Sequence, residues 1–197
     1  GRPDQAVAAA AWPTTDFYAD MREARVMTVL SQIIRRRLID DLRMDKGDTY
    51  SPSATLNASQ TYPGYGYLLA NVEIPPAKVE VFFTELQKIA EDLRTYPVSD
   101  DELTRAVLPL IDQIKQARQT NGYWLGALTG AQTDPRGLEA VRTQLTHYAG
   151  VTAADLMAAA RKYLVPDKAW KFEVLPEPKI AGDSPAGASA ATALAAK

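Results

Sequence analysis

The absence of cysteine and the presence of one histidine restrict the chemistry open to this 197-residue chain. Without cysteine, neither a disulfide nor a thiolate metal site can form. A zinc site built from imidazoles cannot be completed either, because His147 is the only histidine. A Ser-His-Asp arrangement would need His147 as its base, and no nucleophile-elbow sequence accompanies it. We therefore expect His147 to be a partly exposed residue near a helix end, and the chain not to be a self-contained enzyme.

Other absences narrow the class of partner. No uninterrupted apolar run approaches the roughly 20 residues of a membrane-spanning helix, so we expect no membrane insertion. The glycine-rich loops that bind phosphates are missing, and Gly64-Tyr65-Gly66 is typical of a turn rather than of a dinucleotide site. The formal net charge of −2 gives no reason to expect nucleic acid as a partner. The remaining composition, 46% hydrophobic and 23% charged, is that of an ordinary globular protein.

Length and composition predict one domain followed by a tail. Residues 1–178 are enough for a single hydrophobic core. Residues 179–197 consist mainly of small residues, which cannot bury enough apolar surface to offset the entropy of ordering them, so we predict a flexible tail. Because the chain starts at Gly1 without a basic and apolar leader, we expect it to be a processed or excised piece of a larger protein.

Hydrophobic periodicity predicts an α+β fold, in which helices pack on one face of a largely antiparallel sheet. Apolar residues spaced by three or four indicate a helix from about Tyr18 to Arg43. Alternation indicates two strands, 50–59 and 65–74, joined as an antiparallel hairpin that the next helix covers. The other predicted elements are strands at Gln5–Trp12 and 170–174, and helices at 78–94, 99–119, Arg136–His147 and Asp155–Leu164.

Several local patterns predict specific contacts. Ser99 with Glu102, and Thr152 with Asp155, have the spacing of capping boxes at helix starts. Asp41 lies four residues after Arg37 and is therefore positioned for a surface ion pair. The short aromatic stretch Tyr123-Trp124-Leu125 has no clear period, and we interpret it as part of the core.

The corner between the long helix and the hairpin is the candidate functional site. Arg43 falls in the last helical turn, where the helix dipole favours a cation, and Gly47 suits a left-handed residue that ends a helix. Tyr50 opens the following strand. The corner could bring one guanidinium and one phenol to the same sheet edge. The residues alone leave a simpler alternative open, in which Arg43 caps the helix and Tyr50 packs.

The order of these segments resembles the C-terminal domain of pitrilysin-type zinc peptidases, a family that includes insulin-degrading enzymes and mitochondrial processing peptidases. The resemblance covers roughly residues 3–178. Its segments are the helix ending in Leu42-Arg43, Thr49-Tyr50-Ser51-Pro52-Ser53-Ala54, the acidic helix start at 99–102, Val151-Thr152-Ala153-Ala154-Asp155-Leu156 and Trp170-Lys171-Phe172-Glu173-Val174-Leu175-Pro176. Met44 follows Arg43 where such domains often carry glutamate.

This resemblance implies that the chain is half of a zinc metalloendopeptidase. In that family the zinc lies on an inverted H-x-x-E-H motif in a separate N-terminal domain, and the motif is absent here. The resemblance implies that the two halves enclose a chamber for a peptide or unfolded protein. It also implies that Arg43 and Tyr50 bind the substrate at the metal of the N-terminal domain, on the same polypeptide or a partner chain. The fragment alone should bind no zinc and hydrolyse no peptide.

Two other functions stay open at this point. The parent protein could be an inactive family member that serves as a structural or assembly subunit. Alternatively, the chain could be an unrelated α+β interaction module in which the corner is ordinary capping. The compartment is also open between the bacterial periplasm and cytoplasm, with the resemblance favouring the periplasm.

Overall fold

The computed structural model describes residues 4–43 and 51–177. Tyr50, Gly47 and the predicted tail lie outside these ranges, so the domain boundary at 178 stays a prediction. The strands are β1 (Ala6–Thr14), β2 (Ser53–Ala58), β3 (Gly66–Ile74) and β4 (Trp170–Val174), and the helices are α1 (Met21–Arg43), α2 (Val79–Thr95), α3 (Asp100–Ala117), α4 (Asn121–Leu128), α5 (Arg136–Ala149) and α6 (Ala153–Tyr163). In the described ranges, no helix is both long and apolar enough to cross a bilayer.

The strands form an antiparallel sheet in the order β2-β3-β1-β4. The predicted hairpin is confirmed, with Ala54 opposite Ala70 and Leu56 opposite Leu68. The first strand also pairs with the last, which brings the two ends of the described chain together at one side of the sheet. The α+β fold with an antiparallel sheet is therefore confirmed.

One face of the sheet carries the core. Side chains of α1 and α2 meet the inward residues of the strands, because the apolar positions of both helices recur every three or four residues. The prediction that α2 covers the hairpin was wrong. α1 packs against the hairpin strands β2 and β3, whereas α2 packs against β1. The largest fully buried side chains are Phe82, Met27, Leu30, Ile33, Ile34, Leu38, Leu68, Ile74, Leu93, Leu156, Leu164 and Val29.

The opposite face of the sheet has an apolar, solvent-exposed margin at β4. Trp170 lies opposite Ala11, and Phe172 lies opposite Ala9. Residues that lie directly opposite each other point to the same face of a sheet. Trp170 is 73% exposed and Val174 is 63% exposed, so this edge strand presents large apolar groups to solvent. The predicted last strand exists, but in the described structure it contributes little to the core.

The two predicted capping boxes have different outcomes. At the start of α6 the box is complete: Thr152 Oγ1 accepts from the Asp155 amide at 3.2 Å, and the Asp155 carboxylate accepts from the Thr152 amide at 2.9 Å. At the start of α3, Ser99 Oγ accepts from the Glu102 amide, but the Glu102 carboxylate binds Arg37 on α1 instead. A charge-assisted pair with a guanidinium is stronger than a bond to a neutral amide, so the reciprocal half of this box is replaced.

Two further predictions were wrong. Arg37 makes its ion pair with Glu102, at 2.7 Å, rather than with Asp41 one turn away. The aromatic stretch forms the short helix α4, and it does not belong to the core: Trp124 is 41% exposed and Leu125 is 74% exposed. Its eight residues show no apolar stripe, so the helix has no face that it could bury completely.

Candidate functional site

The helix-to-strand corner is only partly within the described structure. α1 extends to Arg43, the last residue described before residues 44–50. β2 begins at Ser53, three residues later than the predicted strand start at Tyr50. The two elements that flank the corner are in direct contact, so the segment between them links packed neighbours. Tyr50 lies outside the described residues, and the functional roles assigned to Arg43 and Tyr50 stay predictions.

His147 lies in the last turn of α5, and its imidazole ring faces the Arg25 side chain. Arg25 Nη1 lies 2.6 Å from His147 Nδ1. Because a guanidinium can only donate, Nδ1 accepts, which places the imidazole proton on Nε2. Burial lowers the pKa of His147, and the charges of Arg25 and Arg22 lower it further. His147 is therefore a neutral partner of a buried arginine.

The described residues do not fit a zinc ion. Within residues 4–43 and 51–177 no cluster of three or more histidine, cysteine, aspartate or glutamate side chains is arranged to hold a metal. The ring nitrogen Nδ1 of His147 is also already occupied by Arg25. The expectation that this chain holds no zinc thus rests on its available donors, and a metal in the complete protein would need ligands from elsewhere.

Sequence reasoning missed the surroundings of Arg25. This side chain is only 3% exposed, although it carries a charge. Its guanidinium donates to Thr143 Oγ1 at 2.9 Å and to the Ala140 carbonyl, and it lies over the ring of Phe17 at 5.7 Å. These contacts join α1 to α5. One sequence feature could have predicted the burial of Arg25: it lies one turn before Val29, which is buried, on the apolar face of α1.

Arg25 lines an open cavity of about 600 Å³ between α1, α4 and α5. Aromatic groups from Phe17, Tyr18 and Tyr123 form part of its wall. Asp134 also lines it, but Arg136 holds this carboxylate in two hydrogen bonds, at 2.9 and 2.7 Å, which lower its pKa. The cavity therefore combines aromatic side chains, polar side chains and one buried cation in its wall. We call it the Arg25 cavity.

Comparison with known sequences matches slightly more than half of the chain to a protein family. The family model described as the peptidase M16 inactive domain matches residues 1–110. The chloroplastic stromal processing peptidase of rice, Oryza sativa subsp. indica, is 30% identical over 136 residues. That match covers 68% of this chain but 11% of the relative, so the chain spans about a tenth of the length of the curated relatives it matches.

Solved structures share the fold along nearly the whole chain. The inactive peptidase domain from Bordetella parapertussis superimposes with a TM-score of 0.75 at 18% identity, covering 90% of this chain and 96% of that domain. The periplasmic protease PqqL from Escherichia coli gives a TM-score of 0.70 at 13% identity, covering 90% of this chain and 20% of that protein. The second match shows that the same fold occurs as one part of a much longer protease.

Proposed function

This chain belongs to the family of inactive domains of M16 peptidases, and we propose that it is the non-zinc-binding half of a zinc metalloendopeptidase. The resemblance to the C-terminal domain of pitrilysin-type peptidases is confirmed by this membership, and the alternative of an unrelated interaction module is excluded. In our proposal the chain closes a chamber over a separate catalytic domain. The substrate is a peptide or an unfolded protein.

One observation carries this proposal: the match to an inactive peptidase domain extends over residues 1–110 and so includes both Arg43 and Tyr50. A domain without metal ligands can still contribute to hydrolysis by binding the substrate. The corner offers two hydrogen-bond donors of different kinds. A guanidinium carries a permanent positive charge, whereas a phenol donates without one.

The apolar margin of the sheet supports pairing with another domain. Trp170, Phe172 and Val174 stand on one face of an edge strand and are 49–73% exposed. Exposed apolar patches with polar surroundings commonly mark surfaces that contact another protein or domain. We propose that this margin lies against the catalytic domain, on the same polypeptide or on a partner chain.

At the corner, Arg43 and Tyr50 would act on the peptide group that is being cleaved. Hydrolysis of a peptide develops negative charge on the carbonyl oxygen, and donors fixed in advance stabilise that charge most strongly in the transition state. Zinc, held by the catalytic domain, would supply Lewis-acid activation of water at the same peptide. The part of this chain is to orient the carbonyl and donate hydrogen bonds to its oxygen.

The test is steady-state kinetics of the complete enzyme with its catalytic domain. Tyr50→Phe should lower kcat by roughly 100- to 1,000-fold, the typical effect of removing one oxyanion donor, with a much smaller change in KM. Arg43→Lys should also lower kcat, because a flexible ammonium replaces a planar fork of donors. Neither variant should unfold the domain, since a charge at a helix end contributes only about 0.3–1 kcal/mol.

Matched controls are available in the same chain. Tyr65→Phe removes the hydroxyl of an exposed tyrosine, and Arg36→Lys changes an exposed arginine on the same helix as Arg43. Both controls should retain full turnover. If Tyr50→Phe and Arg43→Lys also retain it, the catalytic role of the corner is wrong, and the alternative of capping and packing stands.

A further inference from the structure

The charge of Arg25 has no counterion among the described residues. Its hydrogen-bond partners Thr143, His147 and the Ala140 carbonyl are all neutral. Burial lowers the pKa of Arg25, and the charge of Arg118 lowers it further. A buried ion is costly unless an opposite charge and hydrogen bonds compensate it. The fold therefore keeps an uncompensated cation at the wall of an open cavity.

Arg25 also has donor capacity to spare. A guanidinium carries five N–H groups, and the three described acceptors use three of them. Nearby, Arg118 donates to the Val141 carbonyl and to Gln144 Oε1, and its Nε is buried without an acceptor in the described structure. Val141 and Gln144 line the same cavity. Positive charge and unused donors thus occur together on this side of α5.

The rest of the cavity suits a small organic group. Its volume of about 600 Å³ lies in the range typical of ligand pockets. Phe17, Tyr18 and Tyr123 supply aromatic wall, while Gly126 and Gly130 leave space because they lack side chains. The one carboxylate that lines the cavity, Asp134, already has Arg136 as its partner.

We propose that the Arg25 cavity binds the carboxylate of an organic ligand with an aromatic body. A carboxylate has a single negative charge, which balances one guanidinium, and two oxygens that can take the two remaining N–H donors. The aromatic body would lie against Phe17 and Tyr123. The carboxylate could belong to a free small acid or to the C-terminus of a peptide that ends in an aromatic residue. This site is independent of the proposed role of Arg43 and Tyr50.

The direct test uses 3-phenylpropionate and its neutral analogue 3-phenylpropionamide as probes of the 197-residue chain. Chemical-shift titration should give a Kd of roughly 1 mM for the acid, as expected for a ligand of this size. The amide should bind at least about tenfold more weakly, because it loses the charge-assisted hydrogen bonds. Shifts should concentrate at α5 and the start of α1. Equal affinity for acid and amide, or no binding of either, would overturn the proposal.

Variants that leave Arg25 in place keep the test independent of folding. Ala127→Leu fills part of the cavity from α4. This variant should bind the acid about tenfold or more weakly. Ala127→Ser is the size-matched control and should bind normally. Should Ala127→Leu bind the acid as well as the unmodified chain does, the ligand does not occupy this cavity, and the proposal fails.

A second pair of probes identifies the source of the carboxylate. Acetyl-Gly-Gly-Phe with a free C-terminus is compared with the same peptide as its C-terminal amide. Tighter binding of the free peptide than of 3-phenylpropionate supports a polypeptide ligand. Binding of 3-phenylpropionate alone supports a small-molecule ligand. Failure of both acids to bind more tightly than their amides rejects the site.

Discussion

Replacing Glu102 with glutamine tests the ion pair that joins α3 to α1. The Glu102 carboxylate accepts from Arg37 Nε at 2.7 Å and from Nη2 at 2.8 Å. The two side chains are 25% and 19% exposed, so the pair is partly removed from water. Asp101, one residue earlier, makes an equally short pair with Arg105, but there the side chains are 69% and 55% exposed. Asp101→Asn is therefore a matched control.

The expected cost differs between the two variants. Both lose one negative charge from the first turn of α3, which contributes about 0.3–1 kcal/mol. The exposed pair of Asp101 adds only about 0.3–0.5 kcal/mol. Hydrogen bonds to charged groups contribute about 1.5–3 kcal/mol when buried. Because a fifth to a quarter of each Glu102–Arg37 side chain reaches solvent, we expect about 2 kcal/mol for Glu102→Gln in total.

Urea unfolding monitored by circular dichroism measures the free energy of unfolding of both variants. A loss of about 2 kcal/mol corresponds to a fall in Tm of roughly 4–8 °C for a chain of this size. The double variant Arg37→Met with Glu102→Gln should recover part of the loss, since it no longer leaves a partly buried guanidinium unpaired. Equal destabilisation by Glu102→Gln and Asp101→Asn would refute the argument that burial sets the strength of this pair.

Two further predictions concern the capping box and a close backbone approach. The hydrogen bond from Arg22 helps to lower the pKa of Asp155 from 3.8 to about 2. The ionised carboxylate therefore stabilises the fold above pH 4, and this stabilisation is lost as the pH falls towards 2. Asp155→Asn should therefore lower the free energy of unfolding by about 1–2 kcal/mol at pH 7, after allowance for solvent screening, but hardly change it at pH 2. A difference between the variant and the unmodified chain that persists in urea unfolding at pH 2 would contradict this. A Cβ on Gly66 would lie 2.2 Å from the Thr15 carbonyl oxygen, so Gly66→Ala should cost about 3 kcal/mol. Gly122→Ala, which meets no atom within 4 Å in α4, should stabilise by about 0.5–1 kcal/mol, and similar thermal melts for the two alanine variants would be evidence against the clash.

Local patterns predicted the elements well where both partners of an interaction are close in the chain. The hairpin of β2 and β3 follows from alternation on either side of a turn, and the helix that extends as far as Arg43 follows from its apolar spacing. The Thr152–Asp155 capping box spans only three residues, so the sequence contains both of its groups in one turn. Periodicity gave the apolar face of α2 correctly, but it did not indicate which strand this face contacts.

The candidate site was predicted less completely. Arg43 and Tyr50 came from a family resemblance carried by short motifs, and their roles stay predictions. Arg25 could not be assigned, because its partner His147 is 122 residues away and no periodic pattern links the two. Trp124 and Leu125 were predicted to be buried because they are apolar. They are exposed in the structure because α4 has no apolar face that it could bury completely.

The sequence by itself determined the α+β class, the hairpin, the approximate positions of five of the six described helices and the family, because these depend on repeats and motifs within a few tens of residues. Tertiary structure alone decided that Glu102 binds Arg37, 65 residues away, in preference to closing its own capping box. It alone placed Arg25 beside an open cavity with neutral partners. The physical reason is that a side chain's position on a helix face sets its direction, whereas the packing of distant elements sets what it meets there.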